Sequence, residues 1–186
     1  HGVPGAFMSL VSNNMLNQSV KELGHKEPAR IFEAISGEIE KTEQENSKDG
    51  MDCAMLRFDK KHKRLQYSGA NNPLYWYREG DEEMRQIKAD KHALEVFLNK
   101  DKEFVNHELD IQKGDTFYVF TDGYPDQFGG PQGRKFMYKK FRNMLFDNRH
   151  LSMQEQHDNL DKTMNDWRDN EKHKQIDDIL VIGLRF

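Results

Sequence analysis

The first forty residues place apolar side chains at helical spacing and predict two helices. The first runs from Pro4 to about Leu23, where Gly24 would end it, and the second begins at Pro28, a residue suited to a first helical turn. The polar stretch from Thr42 to Gly50 is predicted to be a loop. The apolar residues that recur on one face are Phe7, Val11 and Met15 in the first helix and Ile31, Ile35 and Ile39 in the second.

The middle of the chain has the short apolar runs and turn residues that are typical of β-strands. Residues Met51–Tyr77 alternate in polarity and predict a β-meander, and a further strand is expected near Met84–Ile87. Two more strands are predicted at Phe104–Leu109 and Thr116–Phe120. The turn residues Gln112–Asp115 between them indicate a hairpin.

Helical spacing returns in the last third, and one final strand follows. A helix is predicted over about Lys135–Asp147, and Ser152 with Glu155 forms the sequence pattern of a capping box at the start of another. The apolar run Ile179–Phe186 predicts a strand in the centre of a sheet. Because helices and strands are segregated along the chain, the expected fold class is α+β with mainly antiparallel sheets.

Composition excludes several classes of function. The 186 residues suffice for one domain, predicted over 1–186, and the net charge of −4 offers no footprint for nucleic acid. No apolar run approaches the ~20 residues of a membrane helix, so no membrane contact is expected. The single cysteine, Cys53, excludes an internal disulfide and fits a reducing, cytoplasmic setting. The chain begins at His1 instead of methionine, which we interpret as a fragment of a longer protein.

Acidic residues stand at the ends of two apolar runs. Asp122 follows the predicted strand that ends at Phe120, and Asp177 and Asp178 precede the last strand. If these strands are neighbours, the carboxylates converge and need a proton or a cation between them; oxygen ligands suit Mg²⁺ or Mn²⁺. Each motif also has a plainer interpretation, since Asp-Gly is common in hairpin turns and adjacent acids are often solvated. Asp177 and Asp178 would point to opposite faces of a strand, so only one can join Asp122, and Asp177 is the one expected.

Several short blocks stand out in order along the chain: His1–Met8, Asp49–Asp52, Tyr67–Tyr75, Gly114–Asp115, Thr121–Gly123, Asp126–Gly130 and Gln175–Asp178. Together they resemble the bacterial SpoIIE-type serine/threonine phosphatases, a branch of the PP2C-like (PPM) family. Residues 90–95 depart from the family's usual turn at that place.

The resemblance implies a β-sandwich flanked by helices in α/β/β/α layers, with two Mn²⁺ or Mg²⁺ ions that activate water to attack phosphorus. Asp122 and Asp177 carry over as metal ligands, with Asp178 as a further candidate from the same block, and Asp126 is expected to stabilise its loop. The family's metal-bridging aspartate lies four residues before the position of His1, and another acid lies further upstream. The chain is therefore expected to be incomplete at its N-terminus and nearly inactive alone.

Two functions from different classes stay open. The first is hydrolysis of phosphoserine or phosphothreonine in bacterial signalling and sigma-factor regulation, on a phosphorylated anti-anti-sigma-like (STAS) protein. A sensor domain, which could anchor the parent protein in a membrane, would lie upstream. The alternative is a non-catalytic module, a truncated or degenerate phosphatase fold that acts in dimerisation or partner binding. Missing upstream strands would leave an open sheet edge, so a homo-oligomer is expected.

Overall fold

The computed structural model describes residues 2–42, 50–94, 103–169 and 172–186, with side chains throughout except at 2–8 and 38–42. His1, most of the predicted loop from Thr42 to Gly50, and the side chains of Phe7 and Ile39 lie outside this description. The elements in chain order are α1 (Gly2–Asn17), a π-helical turn (Gln18–Glu22), α2 (Pro28–Thr42), β1 (Cys53–Asp59), β2 (Arg64–Ala70), β3 (Leu74–Tyr77), β4 (Arg85–Ile87), β5 (His107–Asp110), β6 (Thr116–Phe120), α3 (Gly123–Asp126), β7 (Phe128–Gly129), β8 (Arg134–Lys135), α4 (Tyr138–Asp147), α5 (Met153–Trp167) and β9 (Val181–Arg185).

The chain forms two compact units. The first comprises His1–Asn72 and Lys88–Ile111, and the second comprises Pro73–Ile87 and Gln112–Phe186. Each unit has an antiparallel sheet, in the strand order β1-β2-β5 in the first and β4-β3-β6-β9 in the second. The predicted α+β class with antiparallel sheets is confirmed.

The first unit packs its two predicted helices on an apolar core. Gly24 has φ +71°, a conformation that favours glycine, and it follows the π-helical turn as the predicted stop. Pro28 begins α2 as predicted. The buried members of this core are Met15, Ala29, Ile31, Phe32, Ile35, Ala70, Leu94 and Phe104.

The second unit packs α4 and α5 on one core with β3 and β6. The capping box at the start of α5 is confirmed in both halves: Glu155 N donates to Ser152 Oγ, and the Glu155 carboxylate accepts from Ser152 N. The core consists of Tyr75, Tyr77, Met84, Tyr118, Phe120, Tyr124, Phe136, Phe141, Leu145 and Met164.

The predicted strand pairings need correction at two turns. The predicted meander is wrong at its last strand, because β3 joins the second sheet while β1 and β2 remain in the first. The hairpin predicted at Gln112–Asp115 is also wrong, because β5 and β6 belong to different sheets. A turn does exist there: Asp115 N donates to Gln112 O over 3.1 Å. The turn residues in the sequence therefore predicted where the chain turns, but they did not identify which strands pair.

Two further expectations are corrected in the second unit. The last strand was predicted to be central, but among the described strands β9 pairs with β6 alone and forms an edge. The helix predicted from Lys135 begins at Tyr138, because Arg134 and Lys135 pair with β7 and Met137 has φ +78°. Among the described residues, no helix combines the length and apolar character that a membrane span requires.

Candidate metal centre

Thr121 joins the two acidic segments immediately beyond the end of their strands. Strands β6 and β9 are antiparallel neighbours, with Phe120 opposite Val181. Thr121 N donates to Leu180 O over 3.0 Å, and Thr121 Oγ1 accepts from Leu180 N over 3.0 Å. The same hydroxyl donates to Asp178 O over 2.9 Å. The threonine side chain thus extends the ladder past the strands and holds residues 178–180 beside the turn that carries Asp122.

Gly123 allows this turn to approach the second acidic segment closely. A Cβ atom at position 123 would overlap the carbonyl oxygen of Asp178 and crowd the side chain of Ile179. Any other residue would therefore force the two segments apart. In the Thr-Asp-Gly motif, Thr121 hydrogen-bonds to the neighbouring segment, and Gly123 leaves room for that segment to come close. Asp122 lies between these two residues.

The structure brings the predicted ligands onto two adjoining segments. Asp122 is exposed and directly precedes α3, where its carbonyl oxygen accepts from Asp126 N over 2.9 Å. Asp178 is exposed, and its backbone carbonyl oxygen accepts from Thr121 Oγ1 in the Thr-Asp-Gly turn. Asp177 is half-buried, and its Oδ1 accepts from Asp178 N over 2.7 Å. Their roles as metal ligands stay predictions.

The donors that these segments offer fit a hard divalent cation. They are carboxylate oxygens, each with lone pairs beyond one hydrogen bond, and this chemistry suits Mg²⁺ and Mn²⁺. Within the described ranges, no three histidine, cysteine, aspartate or glutamate side chains form a ready-made metal cluster. Asp122, Asp177 and Asp178 would therefore contribute part of a coordination shell.

Asp126 is held by a lysine that sequence reasoning did not select. Lys135 Nζ lies 2.8 Å from Asp126 Oδ2, so the ion pair connects α3 to strand β8. Both side chains are partly exposed, which limits the contribution of such a pair to stability to about 1 kcal/mol or less. The contact fits the loop role expected for Asp126.

Two glycines allow the β7–β8 hairpin to pack closely against the end of α5. A Cβ at Gly129 would overlap the carbonyl oxygen of Trp167, and one at Gly130 would overlap its indole ring. Gly130 N donates to Trp167 O over 2.7 Å, and Trp167 Nε1 donates to Gln127 O over 3.1 Å. The glycine pair in the sequence therefore marks a close approach of hairpin and helix.

An exposed lysine of α4, Lys140, lies against two aromatic rings near this hairpin. Lys140 Nζ lies 3.8 Å from the centre of the Trp167 ring and 4.4 Å from that of Phe136. Burial disfavours the charged ammonium and lowers the pKa of Lys140. The two ring faces attract the cation and oppose that effect.

Gln127 links the turn after Asp122 to the segment before Asp177. The residue is fully buried, and its Nε2 donates to Phe128 O and Lys174 O, each over 2.9 Å. Its Oε1 accepts from Ile176 N over 3.3 Å. Sequence reasoning missed this residue because a glutamine in a polar, glycine-rich loop is normally expected to be solvated; its place within the Asp126–Gly130 block was the only signal.

Comparison with known proteins matches the chain at the level of family and fold. The family model described as Stage II sporulation protein E (SpoIIE) matches residues 1–186. No protein with curated function matches the chain significantly.

Three solved structures illustrate the match of folds. The SiaA-PP2C domain of Pseudomonas aeruginosa is 28% identical with a TM-score of 0.87, and the match covers all of this chain and 72% of that chain. The PP2C phosphatase domain of SpoIIE from Bacillus subtilis, solved with a fragment of its regulatory domain, is 13% identical with a TM-score of 0.73; all of this chain aligns with 51% of that chain. A crystal structure of RsbX in complex with magnesium is 14% identical with a TM-score of 0.57, and covers 92% of this chain and 71% of that chain. The predicted PP2C-like fold is confirmed.

Proposed function

This chain belongs to the SpoIIE family, and we propose that it is the greater part of a metal-dependent protein serine/threonine phosphatase domain. The observation that supports the proposal best is the contact between the Thr121–Gly123 turn and the segment that carries Asp177 and Asp178. Two elements far apart in sequence bring the segments of Asp122, Asp177 and Asp178 to one end of a sheet, and their carboxylates would supply part of the site for the divalent cation of a phosphatase.

The residues of this chain would bind and orient that cation. Asp122 and Asp177 are the proposed ligands, Asp178 is an additional candidate, and Thr121 and Gly123 hold the two segments together. A Mn²⁺ or Mg²⁺ ion bound there would lower the pKa of its bound water and neutralise phosphate charge. The magnesium named for RsbX supports this choice of metal class.

The proposed substrate is a phosphorylated protein of the anti-anti-sigma (STAS) type. This proposal rests on the SpoIIE family membership, since a phosphatase of that family is expected to remove phosphate from a folded regulator. A regulatory region accompanies the phosphatase domain in the Bacillus subtilis structure. We therefore propose that the activity serves bacterial signal transduction.

The edge of the second sheet favours the alternative function, self-association. Strand β9 is an edge among the described strands, and it exposes Ile182 (43%) and Leu184 (38%). An exposed apolar edge strand tends to pair with another chain. We propose a homo-oligomer, which light scattering coupled to size-exclusion chromatography would test. A monomer at the chain mass of 22.0 kDa over a wide concentration range would contradict it.

Phosphate release from a phosphoserine peptide of a STAS protein, with millimolar Mn²⁺ and with EDTA, tests the enzymatic proposal. We expect metal-dependent turnover by a form extended upstream of His1 and far less by the 186-residue chain, because the resemblance places further carboxylates upstream. Equal turnover by the two forms would contradict this expectation. No turnover by the extended form would favour the non-catalytic module.

A further inference from the structure

We propose that Gln127 is a positioning residue for the candidate metal centre, one that fixes the Asp177–Asp178 segment against the turn that carries Asp122. The inference rests on the proposed function, because it concerns the same metal site. Gln127 is not proposed to touch metal or substrate. It acts through the backbone of residues 174–176, which directly precede Asp177.

The contacts of Gln127 are made with main-chain atoms on two different segments. Its amide donates to the carbonyl oxygens of Phe128 and Lys174 and accepts from the N–H of Ile176. The Phe128 contact keeps the side chain in place within its own loop. The other two contacts hold the main chain on both sides of Gln175 and set the path of the chain as it enters the acidic segment.

Asp177 thereby lies between two separate anchors. Thr121 bonds to residues 178 and 180 on its C-terminal side, and Gln127 bonds to residues 174 and 176 on its N-terminal side. Both anchors belong to the stretch that contains Asp122. With one anchor removed, the segment would be held at one end only, and the position of Asp177 relative to Asp122 would vary.

Glutamine is chemically suited to this position. The site requires two donors and one acceptor at the end of a side chain of this length, inside a fully buried space. Glutamate offers no donor to the two carbonyl oxygens, and methionine has a similar shape but no hydrogen-bonding amide. Methionine at this position would leave the carbonyl oxygens of Phe128 and Lys174 and the N–H of Ile176 without these partners, so the segment has a reason to move.

The test compares Gln127→Met with Gln156→Met. Gln156 is the matched control because it is also a buried glutamine of the second unit: it accepts from Tyr118 Oη over 2.6 Å and donates to Leu151 O over 3.2 Å. Neither contact involves an acidic segment. Both substitutions therefore remove a buried amide, but only one removes an anchor.

The main measurement is Mn²⁺-induced broadening of the backbone amide NMR signals of the 186-residue chain. In the unsubstituted chain, we expect signals around Asp122 and around Asp177 to broaden over the same range of Mn²⁺ concentration. Gln127→Met should raise the required concentration by about tenfold, the lower end of the effect of losing a residue that orients a ligand. Gln156→Met should lower the melting temperature without changing the Mn²⁺ dependence.

Hydrogen exchange without metal provides a second measurement. The amide of Ile176, which bonds to Gln127 Oε1, should exchange at least about tenfold faster in Gln127→Met and at the same rate in Gln156→Met. Unchanged exchange at Ile176, or Mn²⁺ dependences that are equal in the two variants, would overturn the positioning role. Absence of broadening in the unsubstituted chain would instead contradict the metal centre of the proposed function.

Gln127→Glu keeps the inference testable if Gln127→Met does not fold. The glutamate retains the acceptor for Ile176 N and adds a negative charge, which by itself would tighten Mn²⁺ binding. Loss of the two donors predicts weaker binding. Tighter binding by Gln127→Glu would overturn the proposal, and weaker binding would support it.

Discussion

The two units of this protein differ in whether their buried polar side chains have hydrogen-bond partners. In the second unit, the buried residues Asp115, Thr116, Gln127 and Gln156 all have hydrogen-bond partners. In the first unit, four buried hydroxyls have no partner within the described part of the chain: those of Ser12, Ser19, Ser36 and Ser68.

This difference corresponds to the kind of residue that each unit has to position. The second unit carries the acidic segments, whose carboxylates need defined positions if they are to bind a cation. Polar networks in which every group has a hydrogen-bond partner fix the positions of their segments, because these hydrogen bonds tolerate little change in geometry. The first unit is built around an apolar core that includes Phe32 and Ile35, and packing of this kind depends mainly on volume.

The largest effect on activity is expected for a change at Asp122. This change tests whether the hydrogen-bonded framework of the second unit positions metal ligands. In the upstream-extended form, Asp122→Asn should reduce metal-dependent turnover by more than about 100-fold, because loss of outer-shell partners alone often has a 10–100-fold effect. Calorimetric titration with Mn²⁺ would measure the binding directly. Full binding by Asp122→Asn would contradict the ligand assignment.

Asp126→Asn is the matched control for that change. Its carboxylate pairs with Lys135 in a partly exposed contact, so turnover should fall by less than about tenfold. A loss of Mn²⁺ binding as large as that of Asp122→Asn would show that the two aspartates do not have separate roles.

Asp115→Asn is expected to have the largest effect on stability. Both carboxylate oxygens of the fully buried Asp115 accept from Arg78, over 2.9 and 2.7 Å, and Oδ2 also accepts from Gln112 N. Removing one partner of a buried ion pair leaves the other charge uncompensated, so the free energy of unfolding should fall by about 3 kcal/mol. Urea titration would measure it. Asp110→Asn, which affects an exposed pair with Arg64, should change it by less than about 0.5 kcal/mol.

Ser152→Ala should have an intermediate effect by removing half of the capping box. The free energy of unfolding should fall by about 1 kcal/mol, as for other N-cap serines. The side-chain and backbone hydrogen bonds of Ser152 lower the pKa of Glu155 below its ordinary value of 4.5. The stability linked to that shift is present above pH 4.5 and is lost as the pH falls through the lowered value. The difference in melting temperature between the two proteins should therefore shrink as the pH falls from 7 to 3, and a difference that stays constant would contradict this linkage.

The smallest effect is expected for Ser36→Ala in the first unit. The buried hydroxyl has no partner among the described residues, and alanine is the better helix former, so stability should be unchanged or rise by about 0.5 kcal/mol. Urea titration would again measure the change. A fall of 1 kcal/mol or more would show that the hydroxyl has a partner and that the contrast between the units is weaker than the structure indicates.

Features that depend on neighbours along the chain could be predicted from the sequence. The starts of α2 and α5, the stop at Gly24 and the apolar faces of the helices follow from side chains within one or two turns. The acidic residues were found in the same way, from their positions at the ends of apolar runs. The motif blocks, taken in order, also identified the family and its fold.

Contacts between distant segments became known only from the folded chain. Local patterns placed most of the strands, but the sheet to which β3 and β5 belong and the edge position of β9 depend on strands far away in the chain. The burial of Gln127 and the pairing of Asp126 with Lys135 were equally hidden from the sequence. A polar side chain becomes structural only when remote residues enclose it and supply its hydrogen bonds, and no local pattern records that enclosure.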